Sequence, residues 1–98
     1  MAQFIAVCHR NLEHFSPSDF TQELLEAEAE RARQLYAQGT FRQVWGRADN
    51  PGAVIVIEAS SLDEAEAVLA SLPLAVREML TLDVLVPLTP YRGFGPRS

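Results

Sequence analysis

The chain has 98 residues, 48% of them hydrophobic and 21% charged, with a formal net charge of −5; this is one globular domain, neither a disordered segment nor a fibre. The negative balance argues against a nucleic-acid partner, which needs clustered cations. The longest apolar runs, Phe4–Cys8 and Ala53–Ile57, are far below the ~20 residues of a membrane helix. With no signal-peptide pattern at the start, a cytoplasmic location is expected. One cysteine excludes an internal disulfide and a multi-cysteine metal site, and the absence of lysine excludes Schiff-base chemistry.

In chain order, Gln3 to Arg10 reads as a strand. Ser16-Pro17-Ser18-Asp19 carries a serine cap, a proline at the first turn and an acid three residues on, which predicts the start of a helix. The helix runs to about Gln38, with an apolar stripe of Phe20, Leu24, Ala27, Leu35 and Ala29, Ala32, Tyr36, and Gly39 ends it. Of its acids, Glu28 lies at the boundary of that stripe, where it could point into a pocket. Thr40 to Ala48 is a second strand with polar residues on both faces, as at an edge. Asp49-Asn50-Pro51-Gly52 is a turn, and Ala53 to Ala59, apolar on both faces, is a central strand. Ser61-Leu62-Asp63-Glu64 opens a second helix to about Ser71, Leu72-Pro73-Leu74 breaks it, and Ala75 to Leu80 adds at most a turn. Thr81 to Leu88 is the last strand, with Pro87 marking an edge. The tail, residues 89–98, is irregular.

The order βαββαβ is that of the ferredoxin-like α+β unit, an antiparallel sheet with strands arranged 4-1-3-2. Strands one and three are then central, and they are the two most apolar ones. Two helices cover only one face of such a sheet, so the other needs a cover; a second copy packed sheet to sheet, with the last strand or the tail reaching onto it, is the expected one.

Gln38-Gly39-Thr40-Phe41-Arg42-Gln43-Val44-Trp45, then Val54 to Glu58, Ser61-Leu62-Asp63-Glu64, Leu72-Pro73-Leu74 and Pro87-Leu88 together resemble the muconolactone isomerase family. The resemblance implies a dimeric α+β barrel, often built into larger rings, and an isomerase or cyclase that moves a proton next to a carbonyl with no metal or organic cofactor. A small-molecule-binding protein of the same fold, without turnover, is the alternative.

The residues offer these candidates for such chemistry. His9 ends the first strand on the face of Ile5 and Val7 and is the expected base. Glu58, which ends the apolar central strand, and Asp83, which interrupts the apolar last strand, stand next in line as acid or base groups. Arg42 and Arg47 lie on opposite faces of the second strand by simple alternation, which groups Phe41, Gln43, Trp45 and Arg47. Either arginine could clamp a substrate carboxylate. Trp45 would form a wall of the site, and His14 could contribute from the loop before the first helix. His9 should stand about 10 Å, two strand spacings, from the second-strand side chains. No set of residues has metal-ligand spacing. Cys8 is expected to be an inert small hydrophobe.

Overall fold

The computed structural model describes residues 1–94. Its elements are β1 (Ala2–Arg10), a 3₁₀ turn (Pro17–Asp19), α1 (Gln22–Ala37), β2 (Phe41–Gly46), β3 (Gly52–Ala59), α2 (Leu62–Ala70), α3 (Pro73–Val76) and β4 (Leu80–Leu88). The sheet order is β2-β3-β1-β4, all antiparallel, as the apolar character of β1 and β3 predicts. Tail residues 95–98 lie outside the described residues.

Alternation along β1 divides the molecule into two halves. Phe4, Ala6 and Cys8 turn toward the helices and are buried with Ile55, Ile57 and Ala59 of β3. Leu35 of α1, Ala65 and Leu69 of α2, and Leu72 close this core from above. Phe20, Leu74 and Met79 form a smaller cluster at the start of α1. On the other face, Ile5, Val7, Val54, Val56, Val84 and Val86 make an apolar surface that no helix covers. Arg31 donates from Nη2 to the Ser71 hydroxyl at 3.1 Å and so ties α1 to the segment between α2 and α3.

Three local expectations are corrected. The Ser16–Asp19 box is real, with the Ser16 N–H donating to Asp19 at 2.8 Å, yet it closes the 3₁₀ turn only. Phe20 leaves helical geometry to enter the small core, and Thr21 caps α1 afresh by accepting from Leu24 N–H at 3.2 Å. The inward stripe of α1 is Leu24, Glu28, Ala32 and Leu35, so Ala27 and Tyr36 face water. The helical turn after α2 falls on Pro73–Val76 instead of Ala75–Leu80, because Pro73 is tolerated at a first helical position. Gly39 is left-handed at φ 83°, as expected of the residue ending α1. Glu78 is left-handed too, at φ 60°, just past α3.

Both edge strands carry a bulge. In β2 the pairing jumps from Phe41↔Ile57 to Gln43↔Val56, which leaves Arg42 as the extra residue. Phe41 therefore shares the helix-covered face with Val44 and Gly46, while Gln43 and Trp45 lie on the open face. In β4 the jump from Cys8↔Leu82 to Val7↔Val84 leaves Asp83 as the extra residue.

Candidate functional site

Between α1, the α2–α3 segment and the β2–β3 half of the sheet lies a cavity of about 390 Å³. Small residues make the room: Ala29 and Ala32 on the helix, Gly46 and Ala53 on the strands. A Cβ placed on Gly46 would meet nothing within 4 Å, so this glycine faces empty space. The walls are otherwise aliphatic and aromatic, and two charged side chains enter them, Arg10 and Glu28.

Glu28 takes its place from helical spacing. It lies four residues after Leu24 and four before Ala32, on the stripe that faces the sheet. Its Oε1 accepts the Leu74 N–H at 2.9 Å, an otherwise unpaired donor in the first turn of α3. Burial raises the Glu28 pKa above the ordinary carboxylate value, more than the Leu74 hydrogen bond and the Arg10 charge lower it. Arg10 ends β1; its guanidinium stands 5.3 Å over the ring of Phe20. It forms no ion pair among the described residues. The cavity thus combines a carboxyl group whose proton is held more tightly than usual with a cation open to a ligand.

A second cluster lies on the open face. His9 Nδ1 is 2.8 Å from both Asp83 oxygens, the β4 bulge having turned that carboxylate toward it. A carboxylate only accepts, so Nδ1 carries the hydrogen and Nε2 of the neutral ring keeps its lone pair. Arg47 Nη1 stands 3.7 Å from Asp83 and donates to the Cys8 carbonyl at 3.3 Å. Its Nε and Nη2 fork onto Asp49 at 3.0 and 2.8 Å. Gly52 lies between the strands here, where a Cβ would run into the Cys8 carbonyl oxygen. Asp49, held by this fork, has its pKa lowered to about 2.

Of the sequence candidates, His9, Asp83 and Arg47 therefore meet, and Arg47 spans the two strand spacings with its own length. Arg42 stands apart, at the far end of β2 beside Tyr36 and Gly39. Glu58 pairs with Gln3 whereas His9 pairs with Gly52, six residues along β3, or about 20 Å. Trp45 is 61% exposed, with its indole N–H donating to Gln43 at 3.1 Å, so it is no core residue of this chain by itself; it also lines the Glu28 cavity at the β2 edge. His14 bonds Asn11 at 3.1 Å in the loop after β1, away from both clusters. Cys8 is buried and its thiol is pushed up to about 11, first by burial and then by the Asp83 and Glu28 charges, which leaves it inert at neutral pH. Sequence reasoning missed Arg10, which reads as the polar end of a strand, and placed Glu28 only at a boundary.

The family profile described as muconolactone delta-isomerase matches residues 3–92. The chain belongs to the muconolactone delta-isomerase family. The match takes in β1, β4 and the first four residues of the tail, well beyond the Gln38–Leu74 stretch that carried most of the resemblance. A crystal structure of muconolactone isomerase at 3.3 Å resolution superposes with a TM-score of 0.76 at 20% identity, covering 98% of this chain and 97% of that one. At that identity the likeness extends to the fold. Among curated protein sequences none matches this chain. No helix among the described residues is long and apolar enough to cross a membrane, and none of their side chains cluster as a metal site.

Proposed function

We propose that this chain is a proton-shifting isomerase or cyclase of the muconolactone isomerase type, acting without an organic cofactor on a carbonyl, lactone or carboxylate compound held between α1 and the sheet. The observation that carries this reading is Glu28, a half-buried carboxyl group with a raised pKa, facing the same apolar cavity as the unpaired Arg10. The ionised Glu28 takes a proton from the carbon next to the carbonyl, and the electron pair moves onto the carbonyl oxygen as an enolate. Arg10 holds the acid group and offsets the developing charge. The protonated Glu28 then returns the same proton to a carbon further along the conjugated chain, so the double bond moves and nothing is oxidised or reduced.

Glu28 also caps α3, and the test separates the two roles. Glu28→Gln keeps an oxygen that accepts from Leu74 N–H but cannot carry the proton. Turnover of muconolactone should fall by about 10²–10⁴-fold with the circular dichroism spectrum unchanged. Unchanged turnover would sink the reading.

The His9–Asp83 pair supports a second reading, in which the base is His9 Nε2 on the open face and Arg47 steadies the carboxylate behind it. Under it His9→Ala, and not Glu28→Gln, abolishes turnover. If neither variant matters and a ligand still binds, the chain is a binding protein. The open apolar face supports a homodimer packed sheet to sheet. A stable monomer at micromolar concentration in sedimentation would exclude it.

A further inference from the structure

Arg10 and Glu28 take their places from one small core, in which Phe20, Leu74 and Met79 pack together. Leu74 gives its N–H to Glu28, and the Arg10 guanidinium stands 5.3 Å over the Phe20 ring. The backbone at Arg10 is fixed as well. Its N–H donates to the Pro51 carbonyl and its own carbonyl accepts from Leu12 N–H, both at 2.9 Å. What is left to fix is the side chain, which is long and rich in rotamers. The chain breaks a helix to put a ring beneath it. Ser16 and Pro17 open helical geometry, which stops at Phe20 (φ −85°, ψ 76°) and starts again from the Thr21 cap. Phe20 is 7% exposed as a result. Burial alone accounts for an apolar side chain here, since leucine or methionine would serve it too; only an aromatic one presents a π face to a cation.

The kind of support matters to the site. No carboxylate occupies the Arg10 fork among the described residues. A carboxylate partner would steady the guanidinium by taking the two-point geometry that an acid substrate needs. A ring attracts the charge through its electron-rich face and offers the fork no lone pair. It steadies the cation and leaves it able to bind. We propose that Phe20 is a positioning residue of the site, its ring holding the Arg10 guanidinium at the cavity with the fork open to the carboxylate of a substrate. This rests on the reading of the Glu28 cavity as the reaction site. Phe20 does not line that cavity and acts through Arg10.

Steady-state kinetics of the full chain with muconolactone tests this. Arg10→Gln should raise KM about tenfold or more, through loss of the charged fork. A ring-fluorinated phenylalanine at position 20 keeps the shape and the packing of the side chain but empties its π face. It should raise KM about three- to tenfold, the worth of a partly desolvated cation–π contact, and lower kcat by less. Phe20→Leu should do the same, and should add nothing in the Arg10→Gln background, because the two side chains act as one unit. The fluorinated chain serves if Phe20→Leu does not fold. An unchanged KM with the fluorinated ring, or an equal effect of Phe20→Leu with and without Arg10, overturns the inference; a response to Arg10→Gln then leaves the site reading in place. A KM indifferent to Arg10→Gln, or no turnover by the parent chain, overturns the site reading and the inference with it.

Discussion

The two faces of the sheet hold their charges in opposite ways. On the helix-covered face a single carboxyl group, Glu28, is taken out of water with one backbone donor for company, and its pKa rises. On the open face His9, Asp83, Arg47 and Asp49 satisfy one another, and the fork from Arg47 lowers Asp49 to about 2. Burial without a full set of partners raises the carboxyl of Glu28, whereas the Arg47 fork holds Asp49 ionised. The comparison teaches that the number of ionisable groups in a cluster is a poor guide to reactivity, and that their solvation decides.

The contrast is open to attack by mutation, beginning with packing. Phe41→Ala on the covered face should cost about 3–5 kcal/mol in urea unfolding, because its ring is fully buried. Val84→Ala on the open face, 41% exposed, should cost less than about 1 kcal/mol in the monomer. Equal costs would mean that the open face is already covered in solution. Val84→Asp sharpens that arm: the chain should sediment as a monomer while its spectrum stays the same.

Glu28 gives the next effect, in stability against pH. Its folded pKa lies above the unfolded value, so the folded state binds the extra proton; the favourable contribution is present at acid pH and lost as pH rises through the folded pKa. Glu28→Gln should therefore unfold at equal or higher urea than the parent at neutral pH. A fall in stability would show that the carboxylate serves α3 above all.

Glu78 comes third. A left-handed φ of 60° just past α3 is a position where glycine fits without strain. Glu78→Gly should raise stability by about 0.5–1 kcal/mol. The smallest effect belongs to Asp49. Its folded pKa is depressed, so its contribution is present above the usual carboxylate range and fades as pH falls toward about 2. Being exposed, the pair with Arg47 is heavily screened, and Asp49→Asn should change the neutral-pH urea midpoint little, and less so in high salt.

The strand order was legible because β1 and β3 are apolar on both faces, a pattern only central strands tolerate. The Ser61 and Thr21 caps follow ordinary capping chemistry, but the stronger Ser16 box drew the start of α1 five residues too early. The local box could be satisfied by one 3₁₀ turn, and the burial of Phe20 then redirected the chain. The faces of β2 were misread past Arg42, since alternation carries no sign of a bulge. The same limit hid the encounter of Asp83 with His9. Glu28 was within reach of the periodicity, at four residues from both Leu24 and Ala32, but a glutamate among glutamates reads as solvated surface. Arg10 gave no signal: only the packing of Phe20 beneath it turns a strand end into the mouth of a cavity.

The two bulges have a consequence for how such a sheet behaves in company. A straight edge strand offers a row of unpaired amides and carbonyls to any other strand it meets. Here β2 is interrupted at Arg42 and β4 at Asp83, so each edge breaks its row with an extra residue that carries a charge, and β4 adds Pro87, which has no amide hydrogen to offer. Ribbon growth from edge to edge is blocked on both sides of the molecule, and its hydrophobic attraction is left to act through the broad face.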